Sequence, residues 1–280
     1  MDGPRRTSVK ESPGGAFSFC EVKIQGYIMK FSIRTSYPEN GKYNWFEAIK
    51  AYEEIGFVEV AFLDPELFLA INEKDIIMPF GKADIKASSI HFAQFNLSKL
   101  DLFLKVFSKT VRIADLLNCN HIVIHPSMGK YDQIRSFVNK KIDPVLKREG
   151  LYLCWETFES KRRIFGGINN MFEFCKNNNF HHICYDFSHV HKEQEEILGD
   201  IKENIDIIKI FHLSNRIQDS IKQHYPVYYT EEKAALDSDK VLSFLRKIKY
   251  KGHLVLEYLP QFHPQLLPDG LKLKSLYEKE

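Results

Sequence analysis

Eight short apolar runs, most of them separated by stretches with helical spacing, recur along the chain, and this alternation narrows the possible folds more than any other feature. The runs are Lys30–Arg34, Phe57–Leu63, Ala87–Phe92, His121–His125, Leu151–Glu156, His182–Asp186, Ile207–Leu213 and His253–Glu257. They are rich in Ile, Val, Phe and Leu with little clean polar alternation, which suits parallel strands covered on their outer side. Between them, apolar residues repeat at the helical period. The clearest helix is expected at Leu97–Leu117, where Leu100, Leu104, Phe107, Val111 and Leu116 share a face. Others are expected at Trp45–Ile55, Ile134–Arg148, Asn169–Lys176, Glu193–Ile205 and Ser238–Ile248. The segment after the second run is irregular and is broken by Pro79 and Gly81.

Eight such repeats fit either a closed barrel or a doubly wound open sheet. No G-x-G-x-x-G follows an early strand and no G-x-x-x-x-G-K-[ST] is present, so the open nucleotide-binding sheet lacks its usual marker. A chain of 280 residues accommodates one α/β barrel, which needs about 250. The expected fold is therefore α/β, a single (β/α)8 barrel over residues 29–280. An extension containing Pro, Gly, Ser and Arg precedes it over residues 1–28.

Composition removes several function classes. No apolar run approaches the roughly 20 residues of a membrane span, and residues 1–15 lack a secretory apolar core, so a cytoplasmic protein with no membrane partner is expected. Five cysteines, with no C-x-x-C pair, argue against a disulfide framework or a thiolate zinc knuckle. The net charge of +2 is too small for a protein whose main task is gripping a polyanion.

The chemistry lies at the ends of successive runs. The third ends in His91, the fourth in His125, the fifth in Glu156 and the sixth in Asp186, with His189 three residues on. The seventh ends near His212 and the eighth in Glu257. In a (β/α)8 barrel these ends all face one mouth, where active sites form. A single strand-end His or carboxylate is ordinarily a solvated loop residue or a helix cap. Asp and Glu number 37 and His 11 among 280 residues, about one in six, so six matching positions are not a product of composition. Converging carboxylates and imidazoles also lose hydration unless a cation sits among them. Carboxylate and imidazole without thiolate suit a divalent ion such as Mn, Zn, Co or Mg.

At these residues the chain resembles the xylose isomerase-like superfamily of TIM barrels, which holds sugar and sugar-phosphate isomerases and epimerases together with endonuclease IV. The resemblance runs from about Met29 to beyond Glu257. It is carried by E-T-F at 156–158, Y-D-F-S-H at 185–189, H-L-S-N at 212–215, Q-H-Y-P at 223–226 and L-E-Y-L-P at 256–260. It implies a single (β/α)8 TIM barrel in which Glu156, Asp186, His212 and Glu257 ligate one divalent metal, with Glu156 and Glu257 also acting as acid and base. It makes His189 a substrate contact or a further ligand, and matches His91 and His125 to the extra zinc ligands of endonuclease IV. His224 fits a His in both branches. Endonuclease IV carries an aspartate ligand two residues before that His; here Lys222 stands there, and an ammonium repels a cation.

The leading expectation is a metal-dependent isomerase or epimerase of a small sugar or sugar phosphate, transferring a proton beside a carbonyl through an enediolate. Phe92, Trp155, Phe158, Tyr185 and Tyr258 are candidate walls for sugar C–H faces, and Arg162, Arg163 and Arg216 are candidate partners for a phosphate. The ordinary role of such aromatics is barrel packing, and of such arginines solvation. The first rival is an endonuclease IV-like phosphodiesterase acting at abasic sites, with nucleic acid as its partner. The second is a barrel that binds without catalysing. No G-x-S-x-G elbow supports a serine nucleophile at Ser188.

Overall fold

All eight expected runs form parallel strands: β1 Lys30–Ser36, β2 Phe57–Ala61, β3 Lys86–His91, β4 His121–Ile124, β5 Tyr152–Glu156, β6 His181–Asp186, β7 Ile208–Leu213 and β8 His253–Leu256. They pair in sequence order and β1 closes on β8, giving a (β/α)8 barrel. The computed structural model describes residues 29–37, 44–92 and 99–279, so the extension expected over residues 1–28 lies outside the described residues. No described helix is long and apolar enough to cross a membrane.

Side chains two residues apart on a strand share a face, so the inner face of the barrel rises in tiers. In the middle tier Val123, Cys154, Cys184, Ile210 and Val255 form their own buried cluster, and both cysteines act there as small apolar groups. Two residues further along the same strands come His125, Glu156, Asp186, His212 and Glu257, at the mouth. Two residues earlier come His121, Tyr152, His182 and His253, at the floor. The alternate residues point outward into a larger core shared with the helices, which includes Ile33, Val58, Ile90, Trp155, Tyr185 and Phe211. Register shifts within the β2–β3 and β6–β7 pairs interrupt the tiers locally.

The helical layer comprises α1 Trp45–Lys50, α2 Pro65–Ala70, α3 Glu73–Ile77, α4 Leu100–Leu116, α5 Tyr131–Phe137, α6 Asp143–Glu149, α7 Ile168–Lys176, α8 Gln194–Asn204, α9 Ser238–Lys247 and α10 His263–Glu278. The helix expected over Ile134–Arg148 is two helices joined by a wide π-type turn at Val138–Ile142. Pro144, in the first turn of α6, has no N–H to give to the preceding turn, so the hydrogen-bond pattern resets there. Helix α10 goes unannounced in the sequence because Pro264 and Pro268 obscure its pattern. Tertiary packing decides it: Leu266 and Leu273 are buried, and a Cβ at Gly270 would lie 3.1 Å from Ile55 Cδ1 and 3.4 Å from Leu256 Cδ1. Glycine thus lets α10 lie close against the barrel wall.

Among the described residues of this layer one charge is buried. Lys109 of α4 donates from Nζ to the carbonyls of Phe68 (2.6 Å), Leu69 (3.2 Å) and Ile71 at the end of α2, where the Phe68 carbonyl also accepts from the Ile71 N–H at 3.3 Å.

Candidate metal centre at the barrel mouth

His212 is the hub of the mouth. Its Nδ1 lies 2.9 Å from Glu257 Oε2, 3.7 Å from Glu156 Oε2 and 3.8 Å from Asp186 Oδ2. Four strands, β5 to β8, therefore bring one imidazole and three carboxylates around one small volume. Glu156, Asp186 and His212 are fully buried, and the side chain of Glu257 is 12% exposed, so the group opens to solvent on the β8 side.

The remaining expected residues flank this group on both sides. His91 Nε2 and His125 Nε2 approach Glu156 Oε2 at 2.8 and 3.1 Å. On the opposite flank His189 Nδ1 lies 3.0 Å from Glu156 Oε1 and 3.5 Å from Asp186 Oδ2, while His189 Nε2 meets His224 Nε2 at 3.1 Å. His224 reaches the mouth from a loop with a positive φ of 60°, a costly conformation for a non-glycine residue. The loop is fixed there by the Asn215–Tyr225 bridge and by the Leu259 N–H donating to the His224 carbonyl at 2.9 Å.

The donor atoms fit divalent ions. His91, His125 and Glu156 offer atoms within 4.8 Å of one another, as do Asp186, His212 and Glu257, and Asp186, His189 and His224. Glu156 Oε1, Asp186 Oδ2, His212 Nδ1, His189 Nδ1 and Glu257 Oε2 are buried and make no hydrogen bond of good geometry. Buried polar atoms left so cost free energy that a cation among them would recover. Asp186 is aimed by its own turn: its Oδ1 accepts from the Ser188 N–H (2.6 Å), Ser188 Oγ (2.8 Å) and the His189 N–H (3.2 Å), leaving Oδ2 for the centre.

Electrostatics follow from this crowding. Burial alone raises the Glu156 carboxyl, but His125, His189 and His91 outweigh it and hold the group well below its ordinary range. Asp186 is likewise lowered against its burial, by His189 and His224. Burial lowers His212 too, yet Glu59, Glu156 and Asp186 raise it on balance. Burial and then the Arg34 guanidinium push His91 down to about 3.

Two residues of this site escape a reading confined to metal-ligand types at strand ends. Glu59, in the middle of β2, is fully buried; both its oxygens lie 3.1 Å from His212 Nε2, and Ser89 Oγ donates to it at 2.6 Å. Its signal in the sequence is a lone carboxylate inside the apolar run F-V-E-V-A-F. Arg34 of β1 donates from Nη1 to Glu257 Oε1 and places Nη2 3.4 Å from His91 Nδ1, so its guanidinium borders the mouth.

Two expected substrate contacts need correction. Trp155 is buried on the outer face of β5, where its indole N–H donates to His181 Nδ1 at 3.0 Å and its ring meets Phe165. It alternates with Glu156, so the parity that turns the glutamate inward turns the tryptophan outward. Arg216 is 7% exposed and donates to the Lys192 carbonyl at 2.7 Å, which commits its guanidinium to the Lys192 loop. Tyr185 and Phe92 also pack outward, and the Tyr258 hydroxyl is engaged by the Val227 N–H and Asp269. Phe158 does border the cluster, stacked on His189 with ring centroids 3.9 Å apart and covered by the Arg163 guanidinium at 3.8 Å. Lys222 turns away and pairs with Glu232 at 2.9 Å on the surface.

Among solved structures, the fold is similar to that of 3-keto-D-glucoside 4-epimerase YcjR from E. coli, at 18% identity over 88% of this chain and 99% of that one, with a TM-score of 0.66. It is similar to endonuclease IV from Thermus thermophilus, at 14% identity over 90% and 100% of the two chains, with a TM-score of 0.66. A third similar structure is the IOLI protein with a binding zinc atom, at 15% identity over 90% and 99%, with a TM-score of 0.61. None of the curated proteins matches the sequence. At these identities the structural likeness is one of fold. The family described as xylose isomerase-like TIM barrel matches residues 40–274, most of the sequence, and the chain belongs to that family.

Proposed function

We propose that this chain is a divalent-metal-dependent isomerase or epimerase of a small sugar or sugar phosphate, working in the cytoplasm. The observation that carries the reading is the convergence of the Glu156, Asp186 and Glu257 carboxylates on His212 Nδ1 in a buried, solvent-reachable mouth. Glu156, Asp186, His212 and Glu257 would hold the metal. When bound, a divalent ion supplies Lewis-acid polarisation of a carbonyl and its neighbouring hydroxyl.

The chain's own residues supply the proton chemistry. Glu156 on β5 and Glu257 on β8 stand on different sides of the mouth, where a substrate between them would meet a carboxylate on each face. One takes the proton from the carbon beside the carbonyl, leaving an enediolate. The other returns a proton to the opposite face of that carbon, or the first returns it to the neighbouring carbon. Phe158 offers an apolar wall, with the Arg163 guanidinium over its ring and Arg34 beside Glu257 and His91.

A second reading, metal-dependent hydrolysis of phosphodiesters at abasic sites in DNA, is favoured by one observation. Glu156 lies between the His91–His125 pair and the central group, and Asp186 between the central group and the His189–His224 pair, as bridging ligands of several ions would. Against it, Lys222 brings no carboxylate to the His224 side. Metal analysis of the purified chain, with a screen of ketoses and their phosphates, tests the main reading. Bound metal with ketose turnover that chelation abolishes supports it. Chelator-sensitive nicking of an abasic duplex without ketose turnover replaces it with the second, and protein without metal points to a barrel that only binds.

A further inference from the structure

The imidazoles at the mouth each turn one nitrogen to the carboxylates, and the group behind the other nitrogen decides what the ring can do. A ligating imidazole gives its lone pair to the ion and its N–H to an acceptor further out. His212 meets that requirement, with the Glu59 carboxylate 3.1 Å from Nε2 and Nδ1 facing the centre. His125 leaves both choices open, since its Nδ1 has no hydrogen-bond partner among the described residues. His91 is arranged the opposite way.

Behind His91 stands Arg34, whose Nη2 lies 3.4 Å from Nδ1. A guanidinium can only donate, so Nδ1 carries the lone pair and the ring proton sits on Nε2. Nε2 lies 2.8 Å from Glu156 Oε2 and donates to it. A second proton, on Nδ1, would point an N–H at the cation. Arg34 is itself held, by Nη1 donating to Glu257 Oε1 and by Nε 3.9 Å from Glu59 Oε1. His91 is 2% exposed, so solvent offers the ring no substitute partner. A carboxylate oxygen has a second lone pair, so Oε2 can take this N–H and still serve the centre.

We propose that Arg34 is a positioning residue that fixes His91 as a hydrogen-bond donor to Glu156 and keeps it from ligating, an assignment that rests on the mouth being a metal centre. His91, His125 and Glu156 lie close enough to share an ion, but in this arrangement the His91 lone pair points away from the other two. Hydrogen-bond polarity therefore closes that triad, and metal is directed to Glu156, Asp186, His212 and Glu257. The mouth takes at least one ion fewer than distances between its donor atoms alone would allow.

The test combines imidazole nitrogen NMR with zinc titration of the full chain. Long-range proton–nitrogen spectra of metal-free and zinc-loaded protein show which nitrogen of each ring carries the proton, and His91→Gln assigns the His91 signals. A proton on Nε2 in both states is expected. Arg34→Met should move the tautomer ratio toward Nδ1–H at least about tenfold, as loss of a charged donor implies. Glutamine keeps an N–H for Glu156, so His91→Gln should bind as many zinc ions per chain as the unaltered protein. His91→Leu should bind the same number about tenfold or more weakly, the usual cost of losing an outer partner of a ligand. The proposal is overturned by zinc on Nε2, by a proton on Nδ1 in the unaltered protein, or by an unchanged ratio in Arg34→Met. Loss of an ion in His91→Gln, or undiminished affinity in His91→Leu, overturns it as well. A chain that binds no zinc defeats the metal-centre reading instead, and the metal-free spectrum alone then decides the His91 assignment.

Discussion

Glu59 stands directly behind His212, its carboxylate 3.1 Å from Nε2, while the other ring nitrogen faces the three carboxylates of the mouth. The two residues come from β2 and β7, which are not neighbours in the sheet, so the contact crosses the barrel interior. A carboxylate in this position holds the proton on Nε2 and leaves the Nδ1 lone pair directed at the mouth. Burial disfavours the charged form of Glu59, but His212 and then His91 and Arg34 prevail and bring it down to about 2.

Glu59→Gln preserves the shape of this arrangement but removes its charge. Metal affinity, measured by competition with a chromophoric chelator, should fall about 10–100-fold. Unchanged affinity would show that Glu59 does not set the orientation of His212.

Glu257→Gln should lower turnover of the ketose found in the screen by about 10²–10⁴, the usual range for loss of a general acid–base group. The side chain is partly solvent-exposed, so the thermal midpoint should shift little. Near-normal turnover would falsify the acid–base role.

The floor histidines make stability depend on pH in a defined direction. Burial, reinforced by His121 and Lys30, pushes His253 down to about 3 from its ordinary 6.5. Between those values the unfolded chain binds a proton that the folded chain refuses, so stability falls as pH drops below 6.5. For His253 the loss by about pH 5 is on the order of 2 kcal/mol. Urea midpoints from about pH 7.5 to 5, in buffers without phosphate, should show a shallower decline for His253→Gln. Identical profiles would mean that the ring is not held neutral.

Lys109→Met removes a buried ammonium that donates to three carbonyls at the end of α2. The methionine fills similar volume but removes the donor that serves the Leu69 and Ile71 carbonyls, and a loss of about 1–3 kcal/mol in unfolding free energy is expected. Chemical denaturation measures it, and a neutral result would mean that water replaces the ammonium without cost.

The barrel and the carboxylate and imidazole groups at its mouth were legible in the sequence because both are local properties. Strand runs and helical spacing follow from side-chain periodicity within a few residues, and the end of a strand can be read without knowing its neighbours. His91, His125, Glu156, Asp186, His189, His212 and Glu257 were therefore visible as candidates before any tertiary contact was known, whereas His224, in a loop, entered only through the family resemblance. What the tertiary structure alone decided was who meets whom. Glu59 reaches His212 across the ring, Arg34 joins Glu257 across 223 residues of sequence, and the parity of β5 sends Trp155 to the outer core. Closing the ring sets these relationships, because closure fixes register and facing at once, and no stretch of sequence carries that information by itself.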